Sequence, residues 1–165
     1  MIFEKSCGAI VYTVDNGVIK YLLVEENSGC HSFPKGRMEN EETEEQTAIR
    51  EIKEETDLEV ELITDFKVCE QYNPAEKPGL TKQVVYFLAQ YSDANPRVTR
   101  PNEVKSLKSL SLEDSLITIA HEYKKELLKQ ADEYIKHKIV SMESQLNSSL
   151  YMKSREEIFE RTKYK

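Results

Sequence analysis

Residues 36–58 of the chain read GRMENEETEEQTAIREIKEETDL, and this stretch decides how the rest of the sequence is interpreted. Its second half, Thr43–Thr56, has the composition and the apolar period of a helix. Ala48, Ile49 and Ile52 fall on one side of that helix, and we expect them to pack against a sheet.

Three glutamates of the same helix carry its chemistry. Glu51, Glu54 and Glu55 are spaced i, i+3 and i+4, so they lie within about 100° of arc on a helix. Their carboxylates should converge and offer hard oxygen ligands, which suit Mg²⁺ or Mn²⁺ rather than zinc. Because Mg²⁺ is typically completed by substrate phosphates, the pattern predicts phosphate chemistry. A solvated acidic helix face is the alternative interpretation of these glutamates.

Residues around the glutamates favour the metal site over a solvated face. Glu42 lies about two turns before Arg50, and we expect an ion pair between them that fixes the loop against the helix. Gly36 should permit a close backbone approach, so its carbonyl is a candidate metal ligand as well.

The distribution of charge supports a cation site in this region. The formal net charge is −7 for the 165 residues. The window 36–60 holds ten acids against three bases, which is 3 − 10 = −7 and equals the charge of the whole chain. The acids are Glu39, Glu41, Glu42, Glu44, Glu45, Glu51, Glu54, Glu55, Asp57 and Glu59. Such dense carboxylates repel one another unless a cation compensates them, and no basic patch indicates nucleic-acid binding.

The chain on either side of the glutamate segment is rich in β-prone runs. The predicted strands are Ser6–Val14, Val18–Glu25, Leu58–Gln71, Gln83–Tyr91 and a short one within Glu103–Leu110. Asn16-Gly17 between the first two is a strong hairpin signal, because both residues tolerate positive φ. Asn27–Phe33 is predicted to be a polar connection.

A helical pattern begins at Leu112 and continues to about Glu160. Leu116, Ile119, Tyr123 and Leu127 are spaced for one face of this predicted helix. We therefore predict an α/β (α+β) layered domain over residues 1–130 and a helical extension over residues 131–165. The extension either continues the preceding helix across the domain, forms a homodimer contact or is a frayed, charged helix.

The sequence also predicts a cytoplasmic protein. No run approaches 18 apolar residues, and the first residues lack the basic-then-apolar order of a signal peptide. Cys7, Cys30 and Cys69 are widely spaced and are expected to be reduced, mostly packed side chains.

Residues 36–58 resemble the box of the Nudix hydrolase family, Gly-x5-Glu-x7-Arg-Glu-apolar-x-Glu-Glu-x-Gly-apolar. Gly36, Glu42 and Arg50 are in register with the three glutamates, and one defined position differs: Asp57 stands where the family has glycine. That glycine ends the helix in a left-handed conformation, which Asp tolerates better than most residues. We expect a modest cost in stability and retained activity.

The resemblance extends over about residues 4–128 and points to the bis(5′-nucleosyl)-tetraphosphatase branch of the family. The similar segments are Phe33–Gly36, Lys82–Leu88 and Glu103-Val104. The branch implies an α/β/α sandwich with a mixed sheet, two or more Mg²⁺ ions, and attack of water on a dinucleoside tetraphosphate to give AMP and ATP. This sequence departs from the branch at His31 and Ser109, where members often have tryptophan.

The resemblance also implies roles for individual side chains. Glu51, Glu54 and Glu55 would bind metal, one of them activating water, and Glu103 would be a further ligand or the base. Lys35 and Lys82 would contact phosphates, Tyr86 would stack on an adenine, and Tyr72 would supply a second ring. Core packing of Tyr86 and an ordinary surface position for Lys82 are the alternatives.

Other functions share the same box. An RNA 5′-pyrophosphohydrolase, or a nucleoside triphosphate or diphosphoinositol pyrophosphatase, would use the same residues on the diphosphate. A different class is a non-catalytic nucleotide sensor or interaction module, but such proteins usually lose box carboxylates and this chain keeps them.

Overall fold

The structure is a computed structural model that describes residues 2–163. The strands are β1 (Ile2–Asp15), β2 (Val18–Glu26), β3 (His31–Ser32), β4 (Lys35–Arg37), β5 (Glu61–Tyr72), β6 (Leu80–Gln90) and β7 (Val104–Leu110). The helices are α1 (Glu44–Thr56), α2 (Leu112–Thr118) and α3 (Glu122–Lys163). The predicted polar connection Asn27–Phe33 thus contains the short strand β3, and β4 follows it.

The strands form one mixed sheet. Its central order is β3-β2-β1-β6-β5, with β4 also paired to β1 and β7 also paired to β2. β1 and β6 run parallel, and the other pairs are antiparallel. The predicted α+β class, with a mixed sheet and a long C-terminal helix, is confirmed.

The hairpin between β1 and β2 follows from two residues. Asp15 pairs with Val18, so Asn16 and Gly17 form a two-residue turn with φ angles of 49° and 78°. Positive φ at both central positions matches the right-handed twist of the flanking strands. The predicted hairpin is confirmed.

Helix α1 covers one face of the sheet. Its side chains Ala48 and Ile52 are fully buried against alternate residues of β1 and β6, such as Val11 and Phe87. The expectation that Ile49 joins them is wrong: Ile49 is 46% exposed. The buried side of the helix instead turns toward Glu51 and Glu55, because residues spaced by three and four share a face.

The region after β7 contains two helices instead of the single helix that the periodicity predicted. Ile119 ends α2 in extended backbone, with φ −72° and ψ 127°, and its side chain is fully buried. Tyr123 lies after this break, in the first turn of α3, and is half-exposed. Its hydroxyl donates to the Cys69 carbonyl at 2.7 Å. The expected common face of Leu116, Ile119, Tyr123 and Leu127 is therefore interrupted between α2 and α3.

The chain divides into two compact units, Met1–Ala131 and Asp132–Lys165. The first contains the whole sheet. In the second, the helix α3 continues to Lys163 and leaves large apolar side chains exposed, among them Val140, Met142, Leu146 and Leu150. Within residues 2–163, no helix combines the length and the apolarity needed to cross a membrane.

Candidate active site

Helix α1 is held at both ends by local contacts. Thr43 and Gln46 form a capping box, in which each side chain accepts a hydrogen bond from the backbone N–H of the other. At the other end Asp57 adopts the left-handed conformation, with φ 60° and ψ 18°. The conformation that the sequence predicted for Asp57 is confirmed, and the helix has a fixed length and direction.

Glu42 is committed to holding the preceding loop against α1. The Arg50 guanidinium donates to both Glu42 oxygens, at 2.6 Å from Nε and 2.9 Å from Nη2, so the expected ion pair is present. Glu42 also accepts from the Glu39 N–H at 3.1 Å and the Thr47 hydroxyl at 2.8 Å. The hydrogen bonds from Arg50, first among these causes, lower the pKa of Glu42 to about 2.

Gly36 lies against the carboxyl group of Glu51. It sits in β4, where it pairs with Cys7 of β1. A Cβ atom at this position would overlap the Glu51 carboxyl carbon and oxygens, so any larger residue would push the carboxylate away. The close approach expected at Gly36 is confirmed.

The three glutamates of α1 lie in different environments. Glu51 and Glu55 are 5% and 8% exposed, whereas the Glu54 side chain is 33% exposed. Burial is the first cause that raises the pKa of both buried carboxyls, and the pKa of Glu55 reaches about 8. Glu55 accepts the backbone N–H of Lys35 at 3.3 Å.

Two arginines lie among these carboxylates. Nη1 of Arg50 is 2.7 Å from a Glu51 oxygen and 2.9 Å from a Glu54 oxygen. Arg100 places Nη2 at 2.5 Å from Glu54, and its Nη1 at 3.4 Å from Glu103 and 3.7 Å from Glu51. The structure thus brings Glu103 to the glutamates of α1, with Arg100 between them.

The segment 93–103, between β6 and β7, is fixed along the second half of α1. The N–H of Arg97 donates to the Thr56 carbonyl at 2.8 Å, and its guanidinium pairs with Asp57 at 2.7 Å. The Thr99 hydroxyl donates to the Glu54 carbonyl. Sequence reasoning missed Arg100, because its only local signal is its place three residues before Glu103.

A cleft of about 420 Å³ lies beside the glutamates. Of the residues predicted from sequence, Lys35, Glu55 and Glu103 line it. The remaining lining residues, which the sequence did not indicate, are Val24, Glu26, Asn27, Ser28, Phe33, Asn102 and Val104. The Asn27 amide donates to the Asn102 carbonyl at 2.5 Å, so the cleft joins the end of β2 to the loop that carries Glu103.

The aromatic and basic residues predicted on β5 and β6 do not line this cleft. Tyr86 is fully buried and packs edge-on against Phe33, with ring centroids 5.4 Å apart. Its predicted stacking on a base is wrong for this structure, because neither ring face is free; the core alternative holds. Tyr72 is 40% exposed opposite Lys82, and Lys82 pairs with Glu4 at 3.5 Å.

The side chains around Arg100 fit a divalent cation by their chemistry. The donors are carboxylate oxygens, and Glu55 is a buried carboxyl with a raised pKa and no arginine partner among the described contacts. Within residues 2–163, no three acidic, histidine or cysteine side chains are already grouped as metal ligands. The guanidinium groups of Arg50 and Arg100 lie among the carboxylates.

The mixed sheet and the capped helix place the glutamates of α1 beside a cleft that acidic side chains line. The chain belongs to the NUDIX domain family, whose model matches residues 4–131. This confirms the family resemblance of the box, and this family generally uses divalent metal ions.

Several relatives carry the name of the branch that the sequence resembles. A mouse (Mus musculus) protein named bis(5′-nucleosyl)-tetraphosphatase [asymmetrical] is 31% identical, over 67% of this chain and 81% of its own. A Caenorhabditis elegans protein of the same name is 32% identical, over 68% and 82%. The crystal structure of a C. elegans Ap4A hydrolase binary complex matches with a TM-score of 0.74 and 25% identity, covering 81% of this chain and 98% of that one. The chain is a Nudix hydrolase related to these proteins.

Proposed function

We propose that this protein hydrolyses dinucleoside tetraphosphates in the presence of Mg²⁺, converting the diadenosine compound to AMP and ATP. Relatives that carry the asymmetrical tetraphosphatase name support the substrate class. The observation that carries the proposal is that Lys35 and Glu55 line the same cleft. The positively charged lysine can contact a phosphate, and it lies beside the buried carboxyl group of Glu55.

The proposed metal ligands are the carboxylates of Glu51, Glu54, Glu55 and Glu103 and the carbonyl of Gly36. Oxygen donors favour Mg²⁺, and Mn²⁺ is the alternative ion. When bound, the ion offsets phosphate charge and lowers the pKa of a coordinated water. Its presence would also favour the ionised form of Glu55, whose burial otherwise raises the pKa.

The protein's own groups would perform three tasks. Glu54, the most exposed of the three α1 glutamates, or Glu103 accepts the proton of the attacking water. The water oxygen forms a bond to phosphorus, and the bridging P–O bond breaks so that ATP leaves with its electron pair. Lys35 holds a phosphate in the cleft, while Glu42 and Arg50 keep the loop and α1 in register.

Product analysis in ¹⁸O-labelled water tests this function. Purified protein with Mg²⁺ and diadenosine tetraphosphate should give AMP and ATP, with the label in one product identifying the phosphorus attacked. A panel containing RNA 5′-triphosphate, nucleoside triphosphates and diphosphoinositol phosphates runs beside it. Rapid turnover of RNA 5′-triphosphate with inert diadenosine tetraphosphate would replace the proposal by the RNA 5′-pyrophosphohydrolase. Binding without turnover of any substrate would favour the sensor class.

We also propose that the helical segment 132–163 contacts a second copy of the chain. Met142, Leu146 and Leu150 recur every four residues and are each more than half exposed. Six acids and six bases in residues 132–163 leave the segment without net charge, so two copies do not repel. Light scattering of the full chain and of a truncation after residue 130 should give a dimer and a monomer. Equal monomer masses would reject the contact.

A further inference from the structure

Arg100 and Arg50 touch the same glutamates but are held differently. Arg50 is anchored outside the glutamate group, by both oxygens of Glu42 and by the Arg37 carbonyl at 2.9 Å from Nη2. Every described ion pair of the Arg100 side chain goes to Glu51, Glu54 or Glu103. Arg50 therefore belongs to the scaffold of the loop, whereas Arg100 depends on the carboxylates alone.

The guanidinium of Arg100 takes up the acceptor oxygens that a cation would need. It stays positively charged at any ordinary pH, and it offers five donors and no acceptor. Its Nη2 lies 2.5 Å from Glu54, and its Nη1 reaches toward both other carboxylates. A divalent ion on the same oxygens would meet a positive charge at ion-pair distance, so each of these two cations weakens the binding of the other.

Arg100 can leave without disturbing its loop. Its backbone carbonyl accepts the N–H groups of Glu103 and Val104, at 3.0 and 2.9 Å, which fixes the turn independently of the side chain. The neighbouring Arg97 and Thr99 fasten the loop to α1. The Arg100 side chain itself is one third exposed, so a route to solvent is open.

We propose that Arg100 is a resident counter-cation that competes with the divalent ion for Glu51, Glu54 and Glu103. It stabilises the metal-free site by pairing these carboxylates, and it raises the metal concentration at which the site fills. The inference rests on the proposed function, in which these three glutamates are metal ligands. Arg100 acts through the carboxylates and is a positioning residue.

Titration of the full-length protein with Mn²⁺ alone, followed by the electron paramagnetic resonance of the free ion, tests the competition. Arg100→Gln should bind Mn²⁺ about tenfold more tightly, the scale of one or two partly exposed charge pairs. Arg97→Gln is the matched control, because it removes the same charge from the same loop. In the wild type, Arg97 pairs with Asp57 and not with the proposed metal ligands. The affinity of this variant should stay within about twofold of the wild type, since Asp57 is not among the proposed ligands. Arg100→Lys should fall between wild type and Arg100→Gln.

Thermal unfolding supplies a second readout that is independent of turnover. In EDTA, Arg100→Gln should melt below the wild type, because it leaves carboxylates unpaired. Saturating Mn²⁺ should raise its melting temperature by more than it raises that of the wild type. A variant that had merely lost structure would be lower by the same amount in both conditions, and that result would overturn the inference.

The remaining outcomes distinguish a failure of the Arg100 competition from a failure of the proposed metal site. Equal or weaker Mn²⁺ affinity in Arg100→Gln rejects the competition, and so does equal tightening in Arg97→Gln, which would reveal a general charge effect. If wild-type binding is abolished by Glu54→Gln but unchanged by Arg100→Gln, the metal site stands and the inference fails. If Mn²⁺ binding is absent, or present but unaffected by Glu54→Gln, the proposed metal site and the inference fall together.

Discussion

Glu42 and Glu55 belong to one short motif, yet they lie in opposite electrical environments. Glu42 has four described hydrogen bonds, and its pKa is lowered to about 2. Glu55 is more deeply buried and has one described hydrogen bond, from Lys35 at 3.3 Å, and its pKa is raised to about 8. The first carboxylate is fully used by the fold. The second keeps acceptor capacity that a cation can use.

The contrast explains why the motif needs both kinds of acid. A carboxylate that is saturated by arginine holds the loop and the helix in register, but it has little left for a metal ion. A carboxylate that is buried without a counter-ion is costly to ionise, and this cost is removed when a cation binds. Glu51 and Glu54 lie between these extremes, because each pairs with both Arg50 and Arg100.

The largest expected effect on turnover comes from neutralising one of the carboxylates that are proposed to bind the cation. Glu54→Gln should lower the turnover of diadenosine tetraphosphate by about 10²–10⁴-fold, the range for loss of a general base. The melting temperature in EDTA should fall by no more than that of Arg100→Gln, because Glu54 is partly exposed and loses its pairs with Arg50 and Arg100. Steady-state kinetics with Mg²⁺ measures the rate. Glu59→Gln, on a 90% exposed side chain beyond the helix, is the control and should keep full activity. Unchanged turnover in Glu54→Gln would favour the sensor class.

A smaller loss of turnover should follow from neutralising Glu42, the carboxylate that holds the loop against α1. Glu42→Gln weakens the Arg50 pair, so we expect turnover to fall by about 10–100-fold through misplacement of the loop and helix. This variant should also melt at a lower temperature than Glu54→Gln, because Glu42 makes four described hydrogen bonds.

The stability difference between wild type and Glu42→Gln should depend on pH with a defined sign. A lowered pKa means that the ionised carboxylate stabilises the fold above its ordinary value of 4.5. That contribution is lost as the pH falls from 4.5 through about 2. Denaturant unfolding of both proteins between pH 7 and pH 2 measures it. A difference that persisted unchanged at pH 2 would contradict the assignment of Glu42.

Glu55 should show the opposite dependence. Its folded-state pKa of about 8 lies above the ordinary 4.5, so the protonated form stabilises the metal-free fold. This contribution is complete below pH 4.5 and is lost as the pH rises through 8. The slope is at most about 1.4 kcal/mol per pH unit for one group. Guanidinium unfolding in EDTA at pH 5, 6.5 and 8 should show a decline in the wild type that is smaller in Glu55→Gln. Parallel curves would contradict the raised pKa.

The smallest effect concerns the end of α1. Asp57→Gly relieves the left-handed backbone, but it loses the pairs with Lys53 at 3.1 Å and Arg97 at 2.7 Å. The two changes nearly cancel, so we expect a melting temperature within about 2 °C of the wild type. Asp57→Ala keeps the strain and loses both pairs, and it should melt about 3–4 °C lower. Equal melting temperatures for the two variants would show that the left-handed conformation costs nothing here.

Contacts close in sequence were predictable. The turn at Asn16-Gly17, the left-handed Asp57 and the Arg50–Glu42 pair each depend on a few neighbouring residues, and the structure has all three. The sequence also predicted a close approach at Gly36, but only the structure identified the Glu51 carboxyl group as the neighbour.

Burial was not predictable from spacing. The glutamates of α1 look equivalent in sequence, but the sheet buries Glu51 and Glu55 and leaves Glu54 partly in solvent. Likewise, the sequence around Tyr86 is compatible with a surface that stacks on a base, but the fold buries this ring and packs Phe33 against it. A difference of one helical position decides which residue faces the sheet, and periodicity alone places Ile49 wrongly inside.

The sequence by itself determined the chemistry of this protein: acids at helical spacing, a glycine and an arginine in register, and hence a Nudix box. Only the tertiary structure decided which acid is buried, which is paired and which faces the cleft. The pair of Arg100 with Glu54 joins residues 46 positions apart, and it exists because the loop 93–103 lies along α1. Local rules set dihedral angles and helix faces, whereas the pairing of distant charges depends on how the whole chain packs.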